Sequence, residues 1–133
     1  MKQVSVGVYE IGFEQCQLVL REGQGAEFYL VPGKGKVPRI KLGADYEKWE
    51  SLLSCVIHEA MELVMFRHGC RFDPSADLSR DHSAYMFVMA HTDFSDVCAT
   101  VAEFLASALP DLSAAWEKWG KDAKKRKRKR RKK

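Results

Sequence analysis

His58 and Glu62 stand four residues apart in the run Cys55-Val56-Ile57-His58-Glu59-Ala60-Met61-Glu62-Leu63. On a helix that spacing puts both side chains on one face, about one turn apart. An imidazole nitrogen and a carboxylate oxygen placed in this way suit two ligands of one divalent ion. The same placement suits a hydrogen-bonded pair in which each group satisfies the other inside the protein. Either way the pair needs explaining, because an unpartnered polar group in an apolar setting costs about 1–3 kcal/mol. The four cysteines, Cys16, Cys55, Cys70 and Cys98, show no zinc-knuckle spacing, and the sequence reads them as free thiols.

The helix that would carry the pair is easy to delimit. Asp45 is a plausible N-cap, and no glycine or proline follows until Gly69, so the pattern predicts a helix of about 23 residues. At 100° per residue, Trp49, Leu52, Leu53, Val56, Ala60, Leu63 and Val64 fall on one side. Ile57 and Met61 widen that apolar surface, so the helix is central to the fold. Ser51, Ser54, Cys55, His58 and Glu62 share the remaining arc, with Glu59 on its edge.

Before this helix the chain reads as strands. Residues 4–11, 16–22 and 26–31 and the short stretch 38–43 are separated by glycine-rich turns at 22–25 and 32–35. They predict three or four antiparallel strands joined by hairpins, with Val4, Val6 and Val8 on one face. After the helix, 70–81 reads as a loop and 83–90 as a buried strand. Thr92 or Asp93 caps a second helix over about 94–109, and Pro110 opens a third, short one that Gly120 ends. The expected architecture is therefore α+β: an N-terminal antiparallel sheet on a long central helix, then a strand and two C-terminal helices.

Charge is distributed very unevenly. The chain has 133 residues and a net charge of +4, but residues 121–133 hold 11 of its 22 Lys and Arg. Residues 1–120 carry 11 basic against 17 acidic side chains, a net of −6. The reading is one domain over 1–120 followed by a basic tail over 121–133 that is disordered on its own. Lys124, Lys125, Arg126, Lys127, Arg128, Lys129, Arg130, Arg131, Lys132 and Lys133 form an unbroken cationic run suited to non-specific association with nucleic acid. No aromatic side chain interrupts it, so base stacking is not expected. No stretch approaches the roughly 20 uncharged apolar residues of a membrane span. The N-terminus lacks the apolar core of a signal peptide, so the expected location is the cytoplasm.

The strand Ile40-Lys41-Leu42 followed by the helix that carries His58-Glu59-Ala60-Met61-Glu62 resembles the core of zincin-like metalloproteins. It is similar in particular to small zincin-like proteins of phage and prophage genomes, over about 30 residues. The family motif is His-Glu-x-x-His, and Glu62 stands here where the second histidine would be. The resemblance implies that His58 and Glu62 hold a metal, zinc or alternatively manganese or iron, and that Glu59 activates a metal-bound water. It also implies a third ligand further along the chain. His91, at the end of the 83–90 segment, ranks first for that role and His82, after Asp81, second. Glu103 falls on the solvent face of its helix.

Two functions fit these features. One is a small zincin-like metal-binding protein, a metal-dependent hydrolase if it is catalytic, with a tail that associates with nucleic acid. The alternative is a non-catalytic phage or prophage accessory protein that binds a protein partner through its acidic body and nucleic acid through its tail.

Overall fold

The computed structural model describes residues 2–31, 33–72 and 86–131. Four strands, β1 (Gln3–Ile11), β2 (Glu14–Arg21), β3 (Ala26–Tyr29) and β4 (Arg39–Gly43), precede helix α1 (Trp49–Arg67). A two-residue ribbon, β5 (Arg71–Phe72) with β6 (Met86–Phe87), links α1 to helix α2 (His91–Arg131). The α+β class expected from the sequence is the observed one, but several of its details differ.

First, the sheet is mixed rather than antiparallel. Its order is β1-β2-β4-β3, with β4 inserted parallel to β2 and antiparallel to β3. The register explains the insertion: Leu18 pairs with Ile40 and Leu20 with Leu42, and all four side chains are fully buried. Placing the two most buried strands side by side at the centre concentrates the burial that stabilises the sheet. β3 is left as an edge strand over α1, where Phe28 meets Phe66 with ring centroids 6.4 Å apart.

The valine face of β1 also differs. A register shift between Ser5 and Gly7 changes the parity of the strand, so Ile11 is buried, Tyr9 packs inward, and Val4 and Val8 are exposed. Tyr9 sets its ring edge-on to Phe104 and donates to Asp111 Oδ2 at 2.8 Å. Gly7 leaves the space that this ring occupies.

Second, α1 begins later than expected. Lys48 is its N-cap and makes no side-chain capping bond. Asp45 is drawn elsewhere: its Oδ2 accepts from Gly23 N at 2.6 Å and its Oδ1 from Trp119 Nε1 at 3.0 Å. One carboxylate thus ties the β2–β3 turn to α2 at Trp119. The C-terminus follows the sequence, with Gly69 at φ 69°. Cys70 N bonds Met65 O and Gly69 N bonds Phe66 O, the pattern of a Schellman stop.

Third, one helix of 41 residues replaces the two expected at the C-terminus. Pro110 lies inside it on an exposed face, where water can serve the carbonyl that proline leaves without a donor. Anchors on both sides hold the helix in line. Val97, Phe104 and Ala108 are buried before the proline, and Leu112 and Trp119 after it. Trp116 Nε1 adds a bond to Ala44 O at 3.1 Å. Gly120, which costs about 1 kcal/mol against alanine in a helix, does not end it.

Phe94 and Cys98, though apolar in type, are exposed on this helix. The helix continues through the basic segment to Arg131, where composition predicts disorder. Lys and Arg are good helix formers, and elongating a helix already nucleated avoids the nucleation cost. Among the described residues, one helix, over His91–Arg126, is by length and composition long and apolar enough to cross a membrane; its buried side packs on β1 and α1. Of the strand expected at 83–90, residues 86–87 are a strand and 83–85 lie outside the described residues.

The core also contains a thiol. Cys16 is fully buried, and that burial pushes its pKa from about 9 up to about 12. The folded chain therefore holds this proton more tightly than the unfolded chain does. The associated stability is complete below about pH 9 and is lost as pH rises through about 12. Urea unfolding is expected to show a loss of about 3–4 kcal/mol across that window, at 1.36 kcal/mol per pKa unit. The Cys16→Ala variant should lose the part of that slope due to Cys16, while Tyr9, raised from 10 to about 12 by burial and by Asp111, keeps its own. An equal slope in the variant would refute the assignment to Cys16.

Candidate metal centre

α1 presents its buried stripe to the sheet in steps of four and three: Leu52, Val56, Glu59 and Leu63. Glu59 thus belongs to the core side of the helix and is 6% exposed, not on the rim as the helical wheel suggested. Glu62, three residues on, is 8% exposed. His58 lies one turn before Glu62 with 69% of its side chain exposed, so it forms the solvent side of the cluster.

His58 Nε2 is 3.4 Å from Glu62 Oε2 and 4.0 Å from Glu59 Oε1. One donor atom from each of the three residues lies within 4.8 Å of the other two. Donors to one ion at about 2.1 Å stand about 3–3.5 Å apart, so small side-chain rotations would bring all three to a shared cation. One nitrogen and two carboxylate oxygens suit zinc, manganese or iron.

The sheet decides how Glu59 is held. The backbone N–H of Phe28, on edge strand β3, donates to its carboxylate. Despite that bond, Glu59 is held above the ordinary carboxylate range. Burial is the main cause, and the neighbouring charge of Glu62 adds to it; His58 and the Phe28 N–H act in the opposite direction. Among the described residues, His58 is the only basic partner within ion-pair distance of either glutamate. Glu27, also on β3, adds a further negative charge nearby and pairs with Arg21 at 3.7 Å.

Of the sequence-derived site residues, the structure brings His58, Glu59 and Glu62 together. His91 does not join them: it is the exposed first residue of α2 and is not part of the cluster. His82 lies outside the described residues, as do Lys132 and Lys133. Glu103 is exposed on α2, as its helical position predicts. A downstream third ligand was expected; the donor found beside His58 and Glu62 is Glu59. Its four-three spacing with Val56 and Leu63 was the available signal. No protein-family model, no curated protein and no solved structure matches this chain, so the geometry of the site carries the functional argument.

Proposed function

We propose that the chain is a metal-binding protein whose divalent cation sits among His58, Glu59 and Glu62. One observation carries this reading: two carboxylates, each less than a tenth exposed, lie together and, among the described residues, have only a solvent-facing histidine as basic partner. Burying two like charges is unfavourable, and a divalent cation reverses the sign of the interaction. His58, being exposed, leaves the cluster open to solvent for entry of the ion.

The reaction class such a centre supports is hydrolysis. A bound ion supplies Lewis acidity toward a carbonyl or phosphoryl oxygen. Within the chain, Glu59 is a donor to the ion, and the Phe28 N–H fixes its orientation. This departs from the zincin-like reading of Glu59 as the group that activates water: Glu59 joins His58 as a donor, with Glu62 in the place of the second histidine.

The test is metal content by mass spectrometry, with thermal unfolding in the presence of zinc, manganese or iron(II). The purified wild type is expected to carry about one equivalent. Metal at a hundred times Kd should stabilise it by about 2.7 kcal/mol, a rise of about 10 °C for a chain of this size. His58→Ala should lose both effects. A wild type that neither retains metal nor gains stability from any of the three would reduce the cluster to a hydrogen-bonded pair with a buried neighbour.

A further inference from the structure

The basic end of α2 continues the body's own helix and is not a separate peptide. Trp119, 4% exposed, fixes the helix one turn before the charged run begins. Lys2 holds the same turn, with its ammonium 4.8 Å from the centre of a Trp119 ring and 3.9 Å from Asp122 Oδ2. Beyond Asp122 no acid follows. Lys124, Lys125, Arg126, Arg128 and Lys129 are all exposed.

The helical form sets the spacing of these charges. An α-helix advances about 1.5 Å per residue, so residues 124–131 carry one positive charge per about 1.5 Å of axis. A nucleic-acid duplex carries one negative charge per about 1.7 Å of its axis when the phosphates of both strands are counted. The two densities nearly match. An extended chain, at about 3.3 Å per residue, would halve the protein's density and lose the match. Within residues 124–131, five i,i+3 and four i,i+4 pairs are all like-charged. Each opposes the helix unless a polyanion neutralises it. The acidic body, at −6 over residues 1–120, repels the same polyanion and leaves the rod as the part that approaches it.

We propose that the basic end of α2 binds double-stranded nucleic acid as a helix laid in a groove between the phosphates of both strands, without reading sequence. The inference is independent of the metal centre.

The test compares Lys125→Pro with Lys125→Gln in the full chain. The two variants have the same charge and differ in whether the segment can remain helical. Binding to a 20-base-pair duplex is measured by fluorescence anisotropy from 50 to 200 mM salt, with circular dichroism on the same samples. The wild type should bind with log K falling by about 4–5 per unit of log salt, as for about five neutralised phosphates. Its helical signal should rise on binding. Losing one phosphate contact at 0.15 M salt is worth about fivefold, the expected loss for Lys125→Gln. Lys125→Pro should lose about tenfold more and show no gain of helix.

Thermal midpoints should match wild type in both variants, since Lys125 lies beyond the last core contact at Trp119. Equal duplex affinity in the two variants would overturn the helical mode. Retention on vesicles of anionic lipid, or salt-sensitive self-association, without binding to the duplex would overturn the nucleic-acid assignment.

Discussion

Glu59→Gln is expected to raise the thermal midpoint of the metal-free protein and to abolish its response to added zinc, manganese or iron. The variant keeps a carbonyl oxygen to accept the Phe28 N–H and removes a buried charge beside Glu62. Because the carboxyl of Glu59 is held above the ordinary range, the folded chain binds its proton more tightly than the unfolded chain does. Stability linked to this group is therefore complete at acid pH. It falls as pH rises from about 4.3 through the raised folded value, so at neutral pH the ionised group works against folding. Relief of about 1 kcal/mol would raise the midpoint by about 3–5 °C. The difference in stability between variant and wild type should grow with pH through the carboxylate range. With metal present the order reverses, because the wild type alone has three donors for the ion. A variant less stable than the metal-free wild type at pH 7 that still takes up metal would make Glu59 only a structural acceptor.

Gly43→Ala should cost the fold about 3 kcal/mol or more, and with it the metal centre. A Cβ at position 43 would stand 2.5 Å from Gln24 Cα, Gln24 C and Gly23 O, all backbone atoms of the β2–β3 turn. Gly43 N donates to Gly25 O at 2.7 Å across the same approach, so the turn cannot move away without losing that bond. Ala26, the first residue of β3, pairs with Leu42, and three residues of β3 separate the turn from Tyr29. Displacing the turn shifts β3, and β3 carries the Phe28 N–H that orients Glu59. Urea unfolding of the metal-free variant and its metal uptake should therefore fall together. A variant with wild-type stability would show that the close crossing tolerates a side chain.

Both predictions depend on the edge strand rather than on α1 alone. An isolated α1 could present His58 and Glu62 at the i,i+4 spacing to water, where their mutual interaction would be worth little. Burial under β3 makes the carboxylates costly, and that cost is what a bound cation would offset.

Local rules already determine much of this chain. The stop at Gly69 and the apolar stripe of Leu52, Val56, Ala60, Leu63 and Val64 depend on residues within a few positions of one another. So does the pairing of His58 with Glu62. A period of 3.6 residues and a glycine suited to positive φ can be read without knowing the fold.

Tertiary structure decided the rest. Nothing local places β4 between β2 and β3; that order comes from matching Leu18 and Leu20 to Ile40 and Leu42 across the sheet. Proline and glycine signals divide α2 at 110 and 120, but the buried faces before and after Pro110, with the Trp116 and Trp119 bonds to Ala44 and Asp45, hold it as one helix. Glu59 falls at the margin of the helical wheel, and the width of the sheet above α1 decides whether that margin is dry. The sequence names the donors, because side-chain spacing on a helix is a local property. The burial of the two carboxylates, which a bound cation would offset, arises only when β3, about 30 residues away in the chain, closes over α1.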